Sequence, residues 1–333
     1  MAQQAAISQK PDPDDAQGPS LHVAPSPHIH DRAFTTHRMM VDVVLALTPA
    51  VAMAVYLFRW SALIHITLCV GVCLLSELIF TRMRGRKATL NDLSAVVTGL
   101  ILALSMPATA PWYAAVIASA AAIGLGKIIF GGLGMNIFNP AMVGRAFVMI
   151  SFAGVMGAGA YESASGMVDV ISQATPMNAL KQSGTFAMVP NLFLGLTNGS
   201  IGETSALACL LGGIYLCIRR TASWEIPAAM IATVLLIAGA ADIVGHFGGR
   251  LVLQHLLGGA LFFGAFFIAT DPVSSPLSSR GKLIFGAGSG ALVMLLRMFS
   301  GYPEGVMFAV LLMNAVTPLI NRWTIPRTMG EGF

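Results

Sequence analysis

Apolar residues along the chain come in runs of about 16–22, separated by polar joints, and a helical run of that length crosses a hydrocarbon layer ~30 Å thick. Such runs stand at 39–58, 62–81, 91–106, 111–130, 140–157, 204–218, 226–243, 251–268, 283–299 and 305–320. In lipid every backbone polar group must find its partner within the segment, so the pattern predicts an all-α integral membrane protein of about ten transmembrane helices. Two runs are short and polar at their ends: Asn91-Asp92-Leu93-Ser94 opens one and Asn139-Pro140 the other. The first ~36 residues are polar, rich in Pro, Ser and His and without an apolar core, so they read as a tail rather than a secretory signal. The stretch 158–203 is polar, rich in Gly and Ser, and too irregular to span.

Basic residues sort by side. With the N-terminus inside, the inner joints hold Arg82, Arg84, Arg86, Lys87, Lys127, Arg219, Arg220, Arg280 and Lys282, and the C-terminal end adds Arg322 and Arg327. The outer side receives only Arg59, Lys181, Arg250 and Arg297. An excess of Lys and Arg marks cytoplasmic loops, so both termini are expected in the cytoplasm and 158–203 outside. The expected division is a cytoplasmic tail at 1–36, a five-helix half at 37–157, the external loop at 158–203, a second five-helix half at 204–322 and a cytoplasmic tail at 323–333.

The two halves echo each other. The third helix of the first ends in Ser105-Met106-Pro107-Ala108-Thr109-Ala110-Pro111, and that of the second in Thr270-Asp271-Pro272-Val273-Ser274-Ser275-Pro276. The joints Phe138-Asn139-Pro140 and Gly301-Tyr302-Pro303-Glu304-Gly305 also match in place. An odd number of spans per half turns the second copy upside down, giving two inverted five-helix repeats, and inverted repeats with broken helices hold ligands near the repeat interface.

Composition sharpens this picture in a few places. Hydrophobic residues make up 56% of the chain and charged ones 10%, against about 25% charged in a soluble domain. The net charge of +4 comes from flanks of apolar runs, so it signals topology and not nucleic acid. Cys69, Cys73, Cys209 and Cys217 all lie in apolar runs. Cys69 and Cys73 are a turn apart, but with no further ligand nearby they read as small apolar fillers. His22, His28, His30 and His37 read as surface histidines near the N-terminus rather than a metal site.

Three constellations could carry chemistry. Gly131-Gly132-Leu133-Gly134-Met135-Asn136-Ile137-Phe138-Asn139-Pro140 is a glycine-rich inner loop leading into a short helix. Glycine lets backbone approach a planar ligand, and Asn136 and Asn139, three apart, could face it with both donors and acceptors. The plainer reading, favoured by spacing alone, is that Asn139 caps the helix with Pro140 at its first position. In Thr270-Asp271-Pro272, Asp271 follows an apolar helix directly, and a carboxylate at a membrane boundary is a functional candidate by default; it could equally cap a turn. Asp42, Glu77, Asp92, Asp242 and Glu304 are comparable, and sequence does not rank them. In Asp169-Val170-Ile171-Ser172-Gln173-Ala174-Thr175-Pro176, Thr175 is by itself an ordinary loop residue held extended before proline.

At these places the chain resembles the D-subunit family of the Rnf complex, a relative of the B subunit of the sodium-pumping NADH:quinone reductase. The resemblance is carried by Ser26-Pro27-His28, Gly131 to Arg145, Asp169 to Thr175, Gly199-Ser200-Ile201-Gly202-Glu203-Thr204-Ser205, and Thr270 through Gly305, and covers about residues 26 to 327. The family joins FMN through its phosphate to a threonine in a motif resembling Asp-Gly-x-Ser/Thr-Gly-Ala-Thr. Asp169, Ser172, Ala174 and Thr175 match it, while Val170 and Gln173 stand where glycine is usual. The resemblance therefore implies that Thr175 carries covalent FMN, placed by a flavin transferase on the outer face. It also implies a non-covalent riboflavin near the inner end of the bundle, with Asn136 and Asn139 as contacts and Asp271 as a candidate for flavin or cation interaction. The implied setting is the cell inner membrane, in an Rnf complex whose A, B, C, E and G subunits are its partners and which couples ferredoxin and NAD redox chemistry to Na+ or H+ transport. This chain has no nucleotide fingerprint and no iron–sulfur cysteine pattern, so it would exchange electrons with its sister subunits as part of an oxidoreductase rather than act as a complete enzyme. Two other readings stay open: a urea-type solute channel built on the same inverted repeat, and a purely structural membrane anchor.

Overall fold

The computed structural model describes residues 35–85, 90–156, 176–197, 199–246, 248–300 and 305–325. Each of the ten apolar runs has a helical counterpart. In the first half these are α1 (Thr36–Phe58), α2 (Trp60–Met83), α3 (Ser94–Ser105), α4 (Trp112–Ile123, continued by a π-turn Gly124–Ile128) and α5 (Pro140–Ser151), followed by the short α6 (Ala153–Met156). The polar stretch contributes α7 (Pro176–Ser183) and α8 (Val189–Leu194). The second half contains α9 (Ala206–Ile218), α10 (Glu225–Gly245), α11 (Arg250–Leu257), α12 (Leu261–Phe263, continued by a π-turn Gly264–Ile268), α13 (Ser279–Phe299) and α14 (Val306–Thr324). Among the described residues, the β-type pairing is an isolated bridge between Pro107 and Ser200.

The spans are unequal. α1, α2, α10, α13 and α14 are each long and apolar enough to cross a membrane, and α11 with α12 and its π-turn makes an apolar pair bent by 51°, a broken span or a re-entrant loop. α3, α5 and α9 are shorter, as is α4 with its π-turn. At 1.5 Å per residue a helix of 12 residues reaches only ~18 Å. These short helices tend to be the enclosed ones: nearly every residue of α3 is buried, as befits a helix apolar on all sides. The long helices turn large apolar side chains such as Tyr56, Ile64, Leu75, Leu236 and Val244 outward. All four tryptophans of the chain, Trp60, Trp112, Trp224 and Trp323, are exposed at or next to helix ends, where amphipathic rings settle at a membrane–water interface. The chain is thus a multi-pass, all-α membrane protein.

Neighbours recur in the two halves. α2 packs on α3 and α4, and α4 on α5; α10 packs on α11 and α13, and α13 on α14. Across the halves α1 lies against α9 and α5 against α14. α9 packs closely on both sides through absent side chains, because a Cβ at Gly212 would meet the carbonyl of Ala46 in α1 and one at Gly213 the ring of Phe266 in the π-turn after α12. Small residues let membrane helices approach this closely.

Candidate functional site

A cleft opens where the halves meet, at the end of the bundle shared by the starts of α1, α3 and α5 and the ends of α4, α9 and α12. It encloses about 810 Å³ counting its open mouth, and its wall is mostly apolar. Asn136, Asn139 and Asp271 all line it, so residues 135 positions apart in sequence share one cavity.

The glycine-rich loop builds one wall. Gly131, Gly132 and Gly134 have φ of 128°, 112° and 87°, values that residues with a Cβ rarely adopt. They turn the chain back from the end of α4 into α5. There Asn139 is the N-cap: its Oδ1 accepts from the backbone N–H groups of Ala141 (3.1 Å) and Met142 (3.4 Å), with Pro140 at the first helical position. Its Nδ2 donates to the carbonyl of Ile268 at 3.1 Å, tying the first half to the π-turn of the second. The capping reading therefore holds, and the residue also faces the cavity. Asn136 is 5% exposed, and its Nδ2 donates to the carbonyl of Phe138 at 3.1 Å.

Asp271, from the second half, lies beside the loop. Its carboxylate accepts from Ser274 Oγ at 2.9 Å and the Val273 N–H at 3.3 Å, and Asn136 also bonds to it. Burial pushes its carboxyl above the ordinary aspartate range, against the opposing pull of the Ser274, Val273 and Asn136 hydrogen bonds.

The cavity also presents a group that the charge pattern assigns elsewhere. Lys127, expected among the inner-loop charges, lies in the π-turn that ends α4, 1% exposed. Its ammonium donates to Glu77 Oε1 of α2 at 2.7 Å and to Ser94 Oγ of α3 at 2.5 Å. Ser94 in turn donates through both Oγ (2.6 Å) and N–H (2.9 Å) to Asp92 Oδ1, just ahead of α3. The signal in the sequence is a lysine inside an apolar run, which at membrane depth needs a partner. Arg297, expected at an outer edge, is likewise buried and donates to the carbonyls of His255 (2.5 Å) and Gly258 (3.0 Å), at the break between α11 and α12.

The remaining acidic candidates sort by their partners. Asp42 accepts from Thr221 (3.1 Å), Tyr215 (3.3 Å) and Arg219 (3.3 Å), joining α1 to the end of α9. Asp242 accepts from the N–H groups of Gly249 (2.6 Å) and Leu251 (3.0 Å) and so holds the start of α11. Glu304, the tail histidines His22, His28 and His30, and Thr175 lie outside the described residues. Just beyond Thr175, α7 is anchored: Met177 is 1% exposed, and Lys181 donates to the carbonyl of Ser300 at 2.8 Å. Residues 200–205 are buried against the first half, with Glu203 paired to Arg145 at 2.9 Å and the Gly202 N–H donating to the Leu104 carbonyl at 2.7 Å.

Comparison with known proteins covers the same ground. Residues 22–330 match the model of the NQR2, RnfD, RnfE family. The chain is 40% identical to the D subunit of the Na(+)-translocating ferredoxin:NAD(+) oxidoreductase complex of Acetobacterium woodii, over 93% of this chain and 96% of that one. It is 42% identical to the D subunit of the proton-translocating ferredoxin:NAD(+) oxidoreductase complex of Clostridium ljungdahlii, over 92% and 96%. It is also 42% identical to the D subunit of the ion-translocating oxidoreductase complex of Stutzerimonas stutzeri, over 88% and 92%. The match runs through both halves, the cavity and the buried 200–205 stretch, and this chain belongs to the NQR2, RnfD, RnfE family.

Proposed function

We propose that this chain is the flavin-carrying D subunit of an ion-translocating ferredoxin:NAD+ oxidoreductase, with FMN esterified to Thr175 and riboflavin in the cavity between its halves. In this reading it sits in the cell inner membrane with both termini in the cytoplasm. It passes electrons among the A, B, C, E and G subunits of the complex, and a flavin transferase attaches the FMN.

The observation that carries the reading is the convergence of Asn136, Asn139 and Asp271 on one cavity, although they come from two separate constellations of the sequence. A concave site with apolar walls and a few convergent polar groups suits a cofactor, and this cleft has that lining. A flavin ring is planar and apolar on its faces, with donors and acceptors along one edge. Phe266 and Phe267 offer apolar walls, and Asn136, Asn139 and Lys127 offer polar contacts. When bound, the flavins supply one- and two-electron transfer; the protein supplies binding, orientation and electrostatics. An ester to Thr175 would keep the cofactor from being lost.

The ion is not fixed by likeness, since one relative is named for sodium and another, at similar identity, for protons. The test is direct. Purified protein should be yellow, and its band on a denaturing gel should fluoresce under ultraviolet light. Thr175→Ala should abolish the gel fluorescence while insertion persists, and a peptide spanning 158–203 should carry the added mass of FMN. Persistent fluorescence in the variant would refute the attachment site. A colourless wild type would instead favour the solute-channel reading.

A further inference from the structure

We propose that Lys127 is the cationic contact for the electron-rich edge of the ring held in the cavity, and that Glu77 sets the strength of that contact. The inference rests on the riboflavin reading of the cavity.

Three observations converge on it. An ammonium has three donors, and that of Lys127 uses two of them, on Glu77 and Ser94. The third has no partner among the described residues, and Lys127 stands in the cavity wall. Next, the pair is costly to keep. Glu77 is 0% and Lys127 1% exposed, and a buried ion pair seldom stabilises a fold more than apolar residues of equal volume would. Two leucines in these places would serve packing as well, which leaves a charge requirement at the cavity as the reason for the pair. Finally, the lysine rides on a π-turn, a feature frequent at functional sites. The turn is pinned, because a Cβ on Gly126 would stand 2.8 Å from the Cα of Pro140, at the start of α5. The ammonium is thus fixed relative to Asn139, which caps that same helix.

The chemistry gives the contact a direction. A flavin that takes two electrons from a partner subunit's redox group and one proton from water at the cavity mouth carries one negative charge, gathered at the pyrimidine edge. A cation beside that edge favours the reduced form over the oxidised one. Glu77 offsets part of that charge, so removing Glu77 strengthens the effect and removing Lys127 abolishes it. An uncharged scaffold role would not give opposite signs.

The experiment uses the full-length protein, purified with its flavins. Wild type, Lys127→Met, Lys127→Arg and Glu77→Gln are compared for riboflavin released on denaturation and for the midpoint potential of the non-covalent flavin by spectroelectrochemistry. Lys127→Met should weaken the binding of reduced relative to oxidised riboflavin at least tenfold. Glu77→Gln should shift that ratio the opposite way, and Lys127→Arg should stay near wild type. Gel fluorescence of the covalent flavin, independent of the cavity, reports that each variant inserts. If Lys127→Met fails to insert, the sign of the Glu77→Gln shift decides the matter. Riboflavin-loaded variants with unchanged potentials, or shifts of one sign in both, would overturn this role for Lys127 and leave the cavity reading intact. Wild-type protein that releases no riboflavin would overturn both.

Discussion

Replacing Asn139 separates two jobs that one side chain performs. Asn139→Ala removes the N-cap of α5, where Oδ1 accepts from Ala141 and Met142, and that loss costs about 1 kcal/mol. It also removes a side-chain tie from the glycine-rich loop to the second half, Nδ2 to the Ile268 carbonyl. A buried acceptor deprived of its donor costs about 1–3 kcal/mol; the Asp271 N–H reaches the same carbonyl at 3.4 Å and keeps the figure toward the low end. The sum is about 2–3 kcal/mol. Asn139→Ser keeps a capping oxygen but is too short to span the halves, so it should recover about 1 kcal/mol of that loss. Thermal unfolding of the purified protein in detergent measures the order wild type, then Ser, then Ala. Released riboflavin should fall in both variants, because the tie holds the two walls of the cavity together, while gel fluorescence of the covalent flavin stays unchanged. Equal stability for Ser and Ala would show that the cap contributes nothing. Full recovery with Ser, in stability and riboflavin, would show that the link to Ile268 contributes nothing.

Two further outcomes follow from the same geometry. Asp271 has its pKa raised above the ordinary 3.8 by burial, so ionising it costs more in the folded state than in the unfolded one. Stability should therefore fall as pH rises from about 3.8 through the raised value and then level off; Asp271→Asn should lack that fall, and a parallel curve for the variant would refute the assignment. A Cβ on Gly213 would enter the ring of Phe266, a cavity-lining residue, so Gly213→Val should cost about 1–3 kcal/mol through overpacking. It should also lower riboflavin content, whereas the same change at Gly239, which has open space around it, should leave riboflavin unaffected.

Hydrophobic run length makes the helices legible, because lipid imposes one length scale on every span. The same measure overstates the uniformity of the spans. Run length counts apolar residues, and it cannot tell whether a helix faces lipid or sits among other helices. α3 is as apolar as α1 but is enclosed, and it stops at Ser105 before Pro107. Asn139 is legible as a cap from Asn-Pro chemistry, and the structure adds that its other face bonds across 129 positions of sequence. Sequence misplaces Lys127 and Arg297 for one reason: a charge near the end of an apolar run reads as a loop flank, and its burial depends on partners that local sequence does not show. Glu77 lies 50 positions from Lys127, and the carbonyls that Arg297 binds belong to another helix.

The cavity and the short helices have one cause. A 12-residue helix falls ~12 Å short of a ~30 Å layer, so the ends of α3 and α5 can lie below the surface with backbone groups that lipid cannot satisfy. Asn139 caps the start of α5, the Asp92 carboxylate takes the Ser94 N–H at the start of α3, and the Ile268 carbonyl at the end of the α12 π-turn is met by Asn139. Where these ends gather, side chains cannot close the space as a continuous helix would, and an apolar cleft edged by amides, a lysine and a carboxylate remains. A ligand that fits must be apolar on its faces and polar along an edge. This ties cofactor choice to span length: a change that extended α5 toward the cavity by a turn, such as replacing Phe138-Asn139-Pro140 with three alanines, should fill the cleft and expel riboflavin while leaving the covalent flavin in place. Retention of riboflavin in that variant would break the link between the short spans and the site.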